Sequence, residues 1–307
     1  MRPRPAVVLL AVGLDLVAGE PPVRWHPVVW IGRALARAEA RAACRTVASG
    51  AAAVLAVTAT AWAVAAGAGM VLRRLGWAGT LLEAVALKPT FAVRRLAGAA
   101  GEVRASLETG DLGEAQRRLG RHLVSRVTEE LDAALVTSAV VESVAENLAD
   151  SVAGPLLAYA AGGLPAAWVY RTLNTADAMW GYRDARYERF GKAAARLDDV
   201  ANLLPARVAA GAIVAGAALA GEDAGAAARV AWRDHGRTAS PNAGWPMAAL
   251  AGALGLGLAK PGAYRLGDGV LPESPETIRR AVWVFGAAAT LVVGAAWALA
   301  LGRRNGR

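Results

Sequence analysis

Residues 46–72 read TVASGAAAVLAVTATAWAVAAGAGMVL, and none of them carries a charge. A helix needs about 20 consecutive apolar residues to cross a bilayer, so this stretch is expected to span a membrane. Residues 281–302 form a second uncharged stretch of the same kind. Shorter apolar stretches lie between these two. Residues 238–259 are uncharged, but Pro241 and Pro246 break their first part, leaving a helical piece at 246–259. Residues 151–170 carry Gly162, Gly163 and Pro165 in their middle, the signature of a helix, a tight break and a second helix. Residues 207–221 are an Ala/Gly-rich apolar run that opens at Arg207. Residues 5–18 follow Arg2 and Arg4 as a signal peptide would, yet Asp15 interrupts the run and no Ala-x-Ala-like site follows. They are therefore expected to remain in the chain.

Composition agrees with a membrane protein. The 307 residues are 55% hydrophobic and only 19% charged, with a mean hydropathy of +0.34. Soluble domains average about 25% charged residues. This much apolar surface excludes disorder. The net charge of +9 is spread along the chain, not gathered into the stripes of a nucleic-acid-binding surface. Cys44 is the single cysteine and the three histidines are scattered, so cysteine-based metal sites and intramolecular disulfides are excluded. Trp25, Trp30, Trp77, Trp168, Trp180, Trp245, Trp283 and Trp297 sit near the edges of apolar stretches, which suits either an interfacial belt or ordinary core packing.

Amphipathic segments connect the apolar ones. Across residues 78–130 Ala, Leu and Val recur at three- and four-residue intervals with Arg and Glu between them, a helical period. Thr109-Gly110-Asp111 marks a turn, with Asp111 placed to cap the following helix. There is no extended strand-like alternation, no long polar linker and no internal repeat. The expected fold is all-α: a polytopic integral membrane helical bundle with amphipathic connecting helices, forming one domain over residues 1–307. The missing repeat also argues against a transporter of two related halves. The basic residues 302–307 favour a cytoplasmic end, but Arg-rich segments flank both sides of the 46–72 span, and the positive-inside rule cannot satisfy both.

The chemistry is concentrated in residues 138–207. Phosphate-loop, zinc-protease, dinucleotide and serine-hydrolase motifs are absent. On a continuous helix Glu142, Glu146 and Asp150 fall at i, i+4 and i+8, with Asn147 beside them. Like charges at this spacing repel. Either a divalent cation or arginines offset them, or they form a solvated face. Asn174 and Asp177 stand one helical turn apart. Residues 181–191, which include Tyr182, Arg183 and Arg186, are rich in Arg and Tyr, as an anion site would be. Asp198, Asp199, Asn202 and Arg207 precede an apolar run. Asp198 also reads as an N-cap, with Asp199 and Asn202 in the first turn. Two carboxylate clusters and an arginine group suit a membrane enzyme or carrier that handles a phosphorylated substrate.

Several stretches carry a resemblance: residues 26–33 (HPVVWIGR), 88–91 (KPTF), 141–147 (VESVAEN), 174–179 (NTADAM), 181–183 (GYR), 195–199 (ARLDD), 205–207 (PAR) and 240–244 (SPNAG). In this order and spacing the chain resembles the CobD/CbiB family of cobalamin biosynthesis, the adenosylcobinamide-phosphate synthases. The resemblance implies a multi-pass protein of the cell membrane with its active site facing the cytoplasm. It implies an ATP- and Mg2+-dependent ligase that joins the propionate carboxylate of adenosylcobyric acid, a corrinoid, to aminopropanol or its phosphate. The partners implied are these substrates and membrane lipid, with no nucleic acid; whether the chain forms a homo-oligomer is left open. The catalytic residues so implied are Glu142, Glu146, Asn147, Asp177, Asp198 and Asp199. Substrate would be bound by Lys88, Asn174, Tyr182, Arg183, Arg186, Asn202, Arg207 and Asn242, and metal by Glu146, Asp150 and Asp198. The sequence departs from the family pattern at Val127 and Met247, where acidic residues are usual, at Ser151 and at Glu20. These departures leave room for a catalytically altered paralogue that binds a corrinoid or regulates.

Overall fold

The structure, a computed structural model, describes residues 2–182 and 184–305. Thirteen helices carry the fold among these residues: α1 (Pro5–Ala18), α2 (Pro27–Arg41), α3 (Val47–Arg74), α4 (Gly76–Leu87), α5 (Arg94–Glu108), α6 (Leu112–His122), α7 (Ala133–Leu148), α8 (Gly154–Gly162), α9 (Leu164–Trp180), α10 (Lys192–Leu219), α11 (Ala224–Asp234), α12 (Gly244–Leu254) and α13 (Glu276–Asn305). The only sheet among the described residues is an antiparallel pair, β1 (Leu258–Lys260) and β2 (Tyr264–Leu266), in register Ala259 to Arg265. The fold is helical, as expected. Three helices, α3, α10 and α13, are long and apolar enough to cross a membrane.

The expected spans at 46–72 and 281–302 match α3 and α13. α3 begins at a capping box in which the Thr46 and Ser49 side chains each accept the other's backbone N–H. The break in residues 151–170 is also where expected. Gly163 adopts φ 72°, a left-handed conformation open to glycine, and Pro165 opens α9 behind it. Asp111 caps α6 by accepting from the Glu114 N–H.

Three expectations are corrected. α10 starts at Lys192, well before the apolar run at 207, so Asp198 is a helix-interior residue and not an N-cap; the Ala-rich sequence at 193–195 has high helix propensity and carries the helix back past the acidic pair. The expected helix at 246–259 ends at Leu254, because Gly255 turns left-handed at φ 68° and the chain enters β1. The face expected from Glu142 through Asp150 is not continuous. α7 stops at Leu148 and Ala149–Ala153 form a π-helical turn. Wider i→i+5 hydrogen bonding shifts the register beyond Leu148, so ideal i, i+4 spacing no longer assigns Asp150 to the stripe that Glu142 and Glu146 share.

The chain forms two compact units. The first holds residues 1–92, 154–202 and 293–307; the second holds 93–153 and 203–292. In the first, α1 packs on α4, and α3 packs on α2, α4 and α9. Its core gathers Leu35, Val54, Leu173, Trp180 and Phe190, with the Trp180 and Phe190 rings edge to face at 5.0 Å. Trp180 is thus a core residue that donates to Glu39, while Trp25, Trp30, Trp77 and Trp283 are exposed. In the second unit α7 is the central helix. Every residue from Val136 to Ala145 is buried, as a helix contacted on all sides requires; α5, α6, α12 and β1 pack around it.

Candidate functional site

The first unit builds a hydrogen-bonded row on α9 and α10. Tyr170, Arg171, Asn174 and Asp177 come from α9; Asp198, Asp199 and Asn202 come from α10. Spacings of three and four residues bring Asn174 beside Tyr170, Arg171 and Asp177, and Asn202 beside Asp198 and Asp199. Asn202 Nδ2 donates to Asp198 Oδ2 at 3.0 Å, and Asn174 Nδ2 donates to Asp198 Oδ1 at 3.5 Å. Tyr170 OH donates to Asn202 Oδ1 at 2.6 Å, and an Arg171 guanidinium N–H donates to Asn174 Oδ1 at 3.2 Å. Each amide therefore accepts with its oxygen and donates with its nitrogen, which fixes its orientation and directs two donors into one buried carboxylate. Asp177 and Asp199 lie within electrostatic reach of Asp198. Burial, then the Asp199 carboxylate, push the Asp177 carboxyl up to about 6.

One glycine makes the row possible. A Cβ on Gly154 would stand 1.9 Å from the Tyr170 ring, so only glycine lets α8 approach α9 with that ring between them. Tyr170 is a site residue that sequence reasoning misses. Its position four residues before Asn174 is a signal visible afterwards.

The second unit holds another buried carboxylate. Glu142 accepts from Tyr264 OH at 2.8 Å and from Ser138 Oγ at 2.8 Å, and Arg126 stands 4.0 Å away. Burial pushes its carboxyl up, against the lowering effect of the two hydroxyls and of Arg126 and Lys260. Ser138 Oγ also accepts from the Ala259 N–H, tying α7 to β1. Met247 is buried, with Sδ 3.8 Å from Tyr264 OH, whereas Val127 is exposed. The buried Glu142 excludes a wholly solvated acidic face. Ser138, one turn before Glu142, could have been found from spacing; Tyr264, 122 residues away, could not.

Asn147 donates to the Ser143 carbonyl and accepts from Ser151 Oγ, and Glu146 and Asp150 are half-buried. Arg207 donates to Asn242 Oδ1 at 2.7 Å and lies over the Trp245 ring, so this expected pair does meet. Lys88 is buried 3.1 Å from Asp15 and 2.6 Å from Glu20, and Arg186 is bound to Glu39. Both cations thus have carboxylate partners within the first unit. Tyr182 is exposed. Arg183 lies outside the described residues.

Among the described residues no group of three or more His, Cys, Asp or Glu side chains is arranged to hold a metal ion. Mg2+ does not require one, since it usually takes one or two carboxylates together with substrate phosphates. The buried Asp198, with like charges at Asp177 and Asp199, fits that mode. Of the other expected ligands, Glu146 and Asp150 belong to the second unit.

A helical membrane protein with buried, hydrogen-bonded carboxylates is the class that fold and site define. Residues 8–285 match the family model described as CobD/Cbib protein. The chain is 39% identical over 279 residues to "Cobalamin biosynthesis protein CobD" of Dehalococcoides mccartyi (strain CBDB1), covering 89% of each chain. It is 40% identical over 270 residues to "Probable cobalamin biosynthesis protein CobD" of Methanothermobacter thermautotrophicus, covering 86% of each. It is 37% identical over 296 residues to "Cobalamin biosynthesis protein CbiB" of Salmonella typhimurium, covering 91% of this chain and 92% of that one. No solved structure matches. The chain belongs to the CobD/CbiB family, and this membership supports a role in cobalamin synthesis.

Proposed function

We propose that this protein is an ATP-dependent ligase of the cell membrane that joins adenosylcobyric acid to aminopropanol or its phosphate through an amide, working on the cytoplasmic face. The observation that carries this reading is the row of buried Asp198, Asn202 and Tyr170 with half-buried Asn174, and Asp177 and Asp199 beside it. A carboxylate resists attack by an amine until one oxygen becomes a leaving group. Transfer of the ATP γ-phosphoryl group to the corrinoid propionate makes an acyl phosphate and ADP. The amine nitrogen then forms the C–N bond, inorganic phosphate leaves, and the nitrogen sheds a proton. Asp177 suits that proton: a carboxyl near 6 is mostly ionised at pH 7 and is basic enough to accept it. Asp198 and Asp199 would hold Mg2+ in the first unit, and Glu146 with Asp150 remain candidates in the second. When bound, Mg2+ supplies charge neutralisation for the phosphates. Arg207 and Asn242, which the structure brings together, would contact a polar substrate group.

A second reading is a corrinoid-binding or regulatory paralogue. It is favoured by Met247, which puts a thioether beside Tyr264 where the family pattern has an acid. Phosphate release from Mg-ATP separates the two. The ligase reading expects release only when adenosylcobyric acid and aminopropanol phosphate are both present, and its near-complete loss in Asp177→Asn. Corrinoid binding without phosphate release from the wild type would favour the paralogue.

A further inference from the structure

The first unit also contains a cavity of about 1140 Å³ that the proposed chemistry does not use. One wall is a face of α3, from Ala56 through Val57, Ala61, Val64 and Ala65 to Ala68. From Ala56 to Ala68 the helix rises about 18 Å, against roughly 15 Å of hydrocarbon in one leaflet. The opposite wall is α2, where Trp30, Ala34, Arg37 and Arg41 share a face. Only 17% of the apolar window of α3 is buried, so most of this candidate span is left for lipid.

The polar groups are unevenly distributed. Glu20 and Lys88 line the cavity as well, but Lys88 is held between Glu20 at 2.6 Å and Asp15 at 3.1 Å, so it is not a free cation for an anionic ligand. Arg37 and Arg41 are exposed, and neither pairs with a carboxylate among the described residues. Glu39, between them in sequence, is taken by Arg45 and Arg186. The short link from Arg41 to Val47 folds α2 back along α3, so the two guanidiniums stand toward the start of α3 and the apolar wall runs away from them.

We propose that this cavity binds an anionic phospholipid, its phosphate on Arg37 and Arg41 and its acyl chains along the α3 wall. An apolar trough one leaflet deep that ends in two uncompensated guanidiniums matches that amphiphile in length and in charge. The site is separate from the Asp198 row, so it stands whether or not the ligase reading holds.

The test uses the full chain, delipidated in detergent and titrated with dioleoyl phosphatidylglycerol or dioleoyl phosphatidylcholine. Binding is followed by native mass spectrometry and by the thermal midpoint. Phosphatidylglycerol is expected to bind tightly and raise the midpoint. The double variant Arg37→Gln/Arg41→Gln should bind it on the order of 25-fold more weakly, about fivefold per arginine, and Ala61→Phe, which narrows the trough, should weaken both lipids. Equal binding of the two lipids by the wild type would overturn the proposal, as would a double variant that binds like the wild type. An arginine-dependent rise in midpoint with inorganic phosphate alone would reassign the site to a free anion. Displacement of bound phosphatidylglycerol by adenosylcobyric acid would reassign it to substrate.

Discussion

Asp198 and Glu142 are both buried carboxylates on helices, each with two side-chain donors, yet their surroundings differ. The donors to Asp198 are two amides whose own oxygens are held by Tyr170 and Arg171, and two further aspartates lie within electrostatic reach. The donors to Glu142 are two hydroxyls, one of which is bonded to a β1 backbone amide, and its neighbours include the cations Arg126 and Lys260 beside one further carboxylate, Glu146. The first arrangement concentrates negative charge and holds it in fixed geometry, which suits a cation and a proton acceptor. The second ties a helix to a hairpin and balances its charge locally, which suits structure. Burial of a carboxylate marks a special position without deciding between these roles; the charges of the neighbours do.

The largest expected contrast is in turnover. Asp177→Asn should lower kcat by about 10²–10⁴-fold, the usual value of a positioned general base, while Glu142→Gln stays within about tenfold. Comparable losses in the two variants, measured by product formation, would erase the distinction. Next is Gly154→Ala, whose methyl must displace the Tyr170 ring. Overpacking of this kind costs about 1–3 kcal/mol, and turnover should fall with it because Asn202 loses its anchor. The double variant Gly154→Ala/Tyr170→Phe should remain as slow as Gly154→Ala, since removing the hydroxyl does not restore the row. Smaller still is Tyr264→Phe, which deletes one hydroxyl donor and should cost about 1 kcal/mol in chemical denaturation with turnover within a few-fold.

The smallest effect is that of pH. With the Asp177 carboxyl near 6, lowering the pH from 7 to 6 should cut kcat/KM by about twofold, with a steeper fall below. Folding linkage has the opposite sign. The folded chain holds this proton more tightly than the unfolded chain, so the stabilisation is full below the ordinary carboxylate range and is lost as pH rises through about 6. An acid limb that persists unchanged in Asp177→Asn would place the titrating group elsewhere.

Much of this was legible in the sequence because it is local. The uncharged runs at 46–72 and 281–302 mark α3 and α13, Gly163 marks the break before α9, and the four-residue spacing of Asp198 and Asn202 marks one side of the row. What stayed hidden depends on long-range contact or on backbone register. Nothing in local sequence brings Tyr264 to Glu142, or sets Lys88 between the carboxylates of Asp15 and Glu20. The π turn at Ala149–Ala153 interrupts the ideal helical spacing that assigns Asp150 to one face with Glu142 and Glu146. α10 continues back through Asp198 because its preceding alanines favour helix, which an apolarity window that ignores propensity does not register.

The central claim is that the Asp198 row performs amide formation. The most direct measurement is mass spectrometry of the product from purified protein given Mg-ATP, adenosylcobyric acid and aminopropanol phosphate, with wild type and Asp198→Asn compared at matched folded fraction. The account predicts the amide from the wild type and a loss of at least 10²-fold in the variant, on the scale of a removed charge-stabilising group. No amide from a wild type that binds the corrinoid, or equal amide from both proteins, would contradict it.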